Sequence, residues 1–245
     1  MCCFSRKVEH VSATNIFARA SKENRQFLVY SMSLSADEDL SMILPLPVPE
    51  KSDEDAVRFI NLEKYPDFFK DMKAGFPEPQ PNSRGPAAGN IAPEKHLKVV
   101  EVGSFEASFV PSLRDFERLD ERFRLPTEVW EGLPQYAKYG FAVFKLKKGS
   151  KTIHPMAFEF PRANTKRLFF PTVHIHDGKV HPRAEFDHSL YCQFNSQKIP
   201  SEFQESVQPA ELFMKIDQTQ GILHGDLHIY LLTLRGMLKN VDTLA

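Results

Sequence analysis

The residues best suited to chemistry gather in one stretch, His174-Ile175-His176-Asp177-Gly178-Lys179-Val180-His181. Asp-Gly between two alternating apolar–polar runs is a signature of a two-residue β-hairpin. With Asp177 and Gly178 at the turn, His176 faces Lys179, Ile175 faces Val180 and His174 faces His181. Residues two apart on a strand share a face, so His174, His176 and His181 are expected on one side of the ribbon. Three imidazoles are the ligand type and number that a catalytic zinc ion uses, with water in the fourth position. Other late first-row divalent metals accept the same donors. Glu185 and His188 lie just downstream and would supply a further ligand. Lys179 opposes the site, since an ammonium beside His176 repels a cation. Without a metal the same residues make a polar sheet face. A second pair, His224 and His228 with Asp226 between them, shares a face in either a helix or a strand.

The other chemistry lies at the N-terminus. Loss of Met1 would expose Cys2, whose free α-amine, with a pKa of about 8, could act as base for its own thiol. That is the logic of N-terminal-nucleophile amidohydrolases. Arg19 on the following strand and Asn195 as an oxyanion donor would complete the constellation. In the plainer reading, Cys2 and Cys3 are small residues that start a strand. No glycine-rich phosphate loop, dinucleotide fingerprint or serine elbow is present. Asp37 and Asp39 read as a turn.

These groups need a scaffold, and composition bounds it. The 245 residues are 42% apolar and 26% charged, which is the globular range. Aromatic content is concentrated in 21 Phe, and 18 Pro are scattered throughout, a mix that disfavours a helical bundle. The net charge of −1 shows no basic excess for nucleic acid. Lys145, Lys147, Lys148 and Lys151 read as a solvated hairpin tip. Three cysteines make no disulfide framework, so reduced thiols are expected. With no long apolar run and no apolar leader after Met1, a cytoplasmic protein off the membrane is expected.

Alternation at period two marks strands over residues 15–21 and 25–35, separated by a polar turn. Residues 40–48 are extended, because Pro45 and Pro47 forbid helix and suit an edge strand or its exit. Ser52 with Asp55 resembles a capping box, and Pro66 can open a helix through Lys73 with Phe68, Phe69 and Met72 apolar. Residues 74–95, rich in Pro and Gly, read as a long loop, either within one domain or dividing 1–73 from 96–245. Further strands are expected over 96–109, 139–146, 153–160, 168–176, 179–181 and 185–194. Helices are expected over 112–123 and 127–137. Residues 221–238 fit either period.

The opening of the chain resembles a bacterial family known as domain of unknown function 2330. Cys2-Cys3-Phe4, Lys7, the strand at Phe17, the strand over 25–34, and Ile43-Leu44-Pro45-Leu46-Pro47-Val48-Pro49 carry the likeness. Val102-Gly103-Ser104-Phe105, Phe123-Arg124-Leu125-Pro126, Tyr136, the strand over 140–146, His154-Pro155-Met156 and Phe170-Pro171 follow in similar order. Members of that family look exported, whereas this chain shows no signal. The resemblance implies no activity and gives no residue a role.

The expected fold is therefore α+β, mainly antiparallel sheet with a few packed helices, in one domain. Three functions are open. One is a non-catalytic protein with a metal site at His174, His176 and His181. Another is an amidohydrolase with Cys2 as nucleophile. The last is a protein-interaction module without chemistry.

Overall fold

The computed structural model describes residues 2–8, 10–76, 105–194 and 199–245. In chain order the elements are β1 (Cys2–Phe4), β2 (His10–Ala20), β3 (Arg25–Ala36), β4 (Leu40–Leu46), β5 (Arg58–Asn61), the helix α1 (Phe68–Ala74), β6 (Phe105–Val110), the helix α2 (Thr127–Glu131), β7 (Gly140–Leu146) and β8 (Gly149–Pro161). Then come β9 (Phe169–Phe170), β10 (His174–Ile175), β11 (Arg183–Gln193), β12 (Gln204–Glu205), β13 (Tyr230–Lys239) and β14 (Thr243–Leu244). A five-stranded sheet has the order β10-β1-β4-β7-β6, and a seven-stranded sheet the order β12-β13-β11-β2-β3-β8-β5. β9 and β14 pair by themselves.

The period-two runs explain the strands. β2 and β3 pair antiparallel across residues 21–24, where Glu23 and Asn24 both take positive φ, 56° and 57°, as a tight turn between twisted strands requires. Among the described residues β1 pairs with β4 only at Met42 and Ile43, so no described strand meets that flank of Pro45, where a missing N–H is tolerated. Two cores result. Ile16, Ala18, Leu28, Tyr30 and Leu190 on the inner face of the large sheet join Ile43, Leu44 and Phe144 of the small one. On the outer face Phe17, Val29 and Tyr191 pack under Phe68, Phe69 and Met72 of α1 and under Ile222 and Leu223. Each buried Val, Leu, Ile, Phe or Met in these cores contributes about 1.5–3 kcal/mol over an exposed one.

The α+β expectation is overturned: this is a β-sheet protein, and its helices are fragments. The two α-helices among the described residues run 7 and 5 residues. Residues 112–123 form two 3₁₀ turns, Leu113–Arg118 and Glu121–Phe123, instead of one helix. α2 stops at Gly132, ahead of Pro134, whose ring cannot continue a helix. Ser52 caps nothing; its hydroxyl donates to the Pro49 carbonyl at 2.7 Å, and the chain turns into β5. α1 alone matches its expected span closely. The loop expected over 74–95 falls mostly outside the described residues, as does much of the strand expected over 96–109. Among the described residues no helix is long and apolar enough to cross a membrane.

Candidate functional site

The turn at Asp177-Gly178 forms, but the hairpin does not. Gly178 takes φ 75°, and Asp177 Oδ1 accepts the Lys179 N–H at 3.1 Å, a local Asx turn. The flanking strands belong to different sheets: β10 pairs parallel to β1, whereas β11 lies between β2 and β13. Asn240 holds the intervening loop. Its Oδ1 accepts from His174 N–H at 2.7 Å, and its Nδ2 donates to the carbonyls of His174 and His181 at 3.0 and 2.9 Å. His181 is exposed, with Nε2 3.0 Å from Asp177 Oδ2. It does not join the other two.

His174 and His176 do come together, with ring centroids 5.0 Å apart, and the third imidazole beside them is His188. His188 lies on the inner face of β11, and its Nε2 stands 3.2 Å from Nε2 of His174. Phe186 stacks against both, and Phe4 against His176. Burial drives the three rings to pKa values of about 3 (His174), 4 (His176) and 2 (His188), so all are neutral at pH 7. In a neutral pair one Nε2–H donates and the other nitrogen accepts. His188 Nδ1 and His176 Nε2 are buried with no hydrogen-bond partner among the described residues. A metal centre would need three or four donors, with their second nitrogens anchored. Among the described residues no group of three or more His, Cys, Asp or Glu is placed to hold an ion. The cluster is an uncharged aromatic wedge of three imidazoles that joins the two sheets.

The nucleophile constellation is also dispersed. Cys2 stands beside His174 in the β1–β10 ladder, a juxtaposition that no local spacing could reveal. Arg19, however, lies in the other sheet. Its buried guanidinium donates to the carbonyls of Ile222 and Gly221, both at 2.6 Å, and lies over the Phe27 ring. It anchors a loop. Asn195 falls outside the described residues. His224 and His228 sit in the segment packed on the outer face of the large sheet. His228 Nδ1 lies 2.9 Å from the Ser206 carbonyl, and the His224 amide donates to Gln193 Oε1.

That outer face carries a feature that sequence reasoning missed. β11 alternates: Phe186, His188 and Leu190 point inward, while Asp187, Ser189 and Tyr191 point outward. Between the outward set, β2, β13 and α1 opens a recess of about 770 Å³. Phe69, Phe76 and Tyr191 are its buried floor. Thr14, Asn15, Ser189, Thr233 and Gln204 supply hydroxyls and amides around it, and Lys70, Lys73 and Arg235 supply charge. β2 bulges here, between Ser12 and Asn15, and Ala13 is held at φ 50°. A non-glycine residue in that region costs about 1–3 kcal/mol and persists only when its surroundings enforce it. Asp187 enforces it: Oδ2 accepts the Ala13 N–H at 2.8 Å, while Oδ1 lies 3.4 Å from Arg235. Arg235 also donates to the His188 carbonyl at 2.6 Å. The carboxylate is thus occupied, and Lys73 has no acidic partner among the described residues. The only trace of this site in the sequence is the apolar face of the Pro66–Lys73 segment.

No family model matches the chain, and no curated protein does. Among solved structures the chain is similar to baculovirus P35, at 12% identity and a TM-score of 0.49, over 97% of this chain and 96% of that one. It is similar to a mutated baculovirus P35 after caspase cleavage, at 14% identity and a TM-score of 0.46, over 96% and 97% of the two chains. A caspase-8/P35 complex matches at 12% identity and a TM-score of 0.45, over 95% of each chain.

Proposed function

We propose that the protein is a non-catalytic binding protein whose ligand sits in the recess between α1 and strands β2, β11 and β13. One observation carries this reading. The recess combines an aromatic floor, a polar wall and a cationic rim around a strained bulge, within the size range of ligand sites. Its chemistry favours holding over bond-breaking. Its hydroxyls, on Thr14, Ser189, Tyr191 and Thr233, have no imidazole beside them among the lining residues. Its one carboxylate is engaged by Ala13 and Arg235. Nothing in the lining can serve as an activated nucleophile with its base. A fragment screen by amide chemical-shift mapping tests the reading. Shifts should cluster at Ala13, Ser189, Tyr191 and Thr233. Fragments that settle elsewhere and leave these amides unmoved would remove it.

A further inference from the structure

The charges and shape of the recess narrow the ligand. Lys70 and Lys73 lie on successive positions of the exposed flank of α1, and Arg235 stands across the opening on β13. Asp187 is the single acid in the lining, and Arg235 already faces it. Lys70 has only a 3.7 Å pairing with the exposed Asp67. The balance is cationic by two charges around an apolar, aromatic base. A flat ring would be buried on Phe69 and Phe76 at the base, and carboxylates would lie at the rim.

The opening also has a direction. β12 covers β13 only at Tyr230 and Leu231. Past Leu231 the outer edge of β13 has no strand partner among the described residues, so an elongated ligand meets no wall there. The hydroxyls and amides around the recess can both donate to and accept from the N–H and C=O groups of a peptide. Gly236, at φ 80°, breaks the extended backbone of β13 and blunts that edge against continuous strand addition. The ligand would therefore lie across the outer face, anchored by a side chain.

Resting on the recess as the binding site, we propose that its occupant is an extended acidic segment of a partner protein, anchored by one aromatic side chain. The full-length chain is titrated into a fluorescein-labelled heptapeptide with a central Phe flanked by Asp and Glu, and anisotropy is read at low and at high salt. The controls are the same peptide with Ala for Phe and with Lys for each acid. The acidic aromatic peptide should bind at least about tenfold more tightly than either control, and salt should weaken it, because exposed charges are screened beyond about 10 Å at 0.1 M. The K70E/K73E double variant, altered only at exposed positions of α1, should lose at least about tenfold in affinity and all discrimination between the acidic and basic peptides. Equal binding of acidic and basic peptides, or unchanged binding by the double variant, overturns the proposal. If fragments occupy the recess while no peptide binds, the acidic segment is the wrong occupant and the recess reading stands. If fragments avoid the recess as well, both readings fall together.

Discussion

The histidine wedge makes stability depend on pH in a window where most carboxylates are silent. His174 and His188 are 9% and 1% exposed, and their folded pKa values of about 3 and 2 lie below the usual 6.5. Below 6.5 the unfolded chain binds protons that the folded chain refuses. Their contribution is therefore complete above 6.5 and is lost as pH falls, down to the folded values. At pH 5 the unfolded form is favoured by about 2 kcal/mol for each of these two rings, and His176, with a folded value of about 4, adds a similar amount, for about 6 kcal/mol in all. Urea unfolding followed through Trp130, the one tryptophan, should show this drop between pH 8 and pH 5. The slope with urea should stay constant, since the same surface is exposed. H188F should keep the aromatic contact with Phe186 and remove one of the three linked protons. Whatever its absolute stability, its loss between pH 8 and pH 5 should shrink by about 2 kcal/mol. Wild-type stability that is equal at the two pH values, or an H188F slope identical to wild type, would refute the buried neutral pair.

Other perturbations probe the supports of the two sheets. D242A strips the acceptor from the Tyr136 hydroxyl, at 2.6 Å, and from the Thr172 and Val173 amides, and should cost about 2–4 kcal/mol in denaturant unfolding. N240A removes the three hydrogen bonds that Asn240 makes to the His174–His181 loop; faster amide exchange at His174 should accompany a loss of about 1–3 kcal/mol. G140A places a methyl 2.6 Å from the Phe109 ring and 3.0 Å from Val48, and should lower stability by about 1–3 kcal/mol through overpacking. Burial raises the Cys192 thiol pKa well above normal, so a disulfide reagent should modify it only at the rate of unfolding.

The sequence made the strands legible and the sheets illegible. Period-two alternation located the segments that become β2, β3, β7, β8 and β11, and prolines that forbid helix located β4, because each strand's own residues carry these signals. Which strands become neighbours is not written in any one segment. Asp177-Gly178 satisfied the local rule for a turn, yet β10 finds its partner in β1 and β11 finds its partners in β2 and β13. The hairpin failed for that reason, and His181 went to solvent with it. His188, noted only as an extra donor, reached His174 because two different sheets face each other there. Helical expectations failed for the opposite reason. Ser52 and Ser112 are plausible caps, but the segments behind them are short, and neither continues as an α-helix.

β11 shows how narrowly the arrangement is specified. The same strand turns His188 inward against His174 and turns Asp187 and Ser189 outward to the recess. A slip of one residue would exchange the two sets, burying a carboxylate between the sheets and exposing the imidazole. Two contacts oppose that slip. Asp187 reaches the Ala13 amide only if the bulge in β2 sits opposite it, and Arg235 reaches the His188 carbonyl only in the observed pairing of β13 with β11. The strained Ala13 therefore does more than shape the recess. It is a register mark, and D187A should relax it: the Ala13 amide loses its acceptor, and the recess and the histidine wedge should both loosen although they lie on opposite faces of the strand. Amide exchange measured at Ala13 and at His188 in D187A separates this from a local effect. Faster exchange at Ala13 alone would mean that the bulge shapes only the outer face, and that some other contact sets the register of β11.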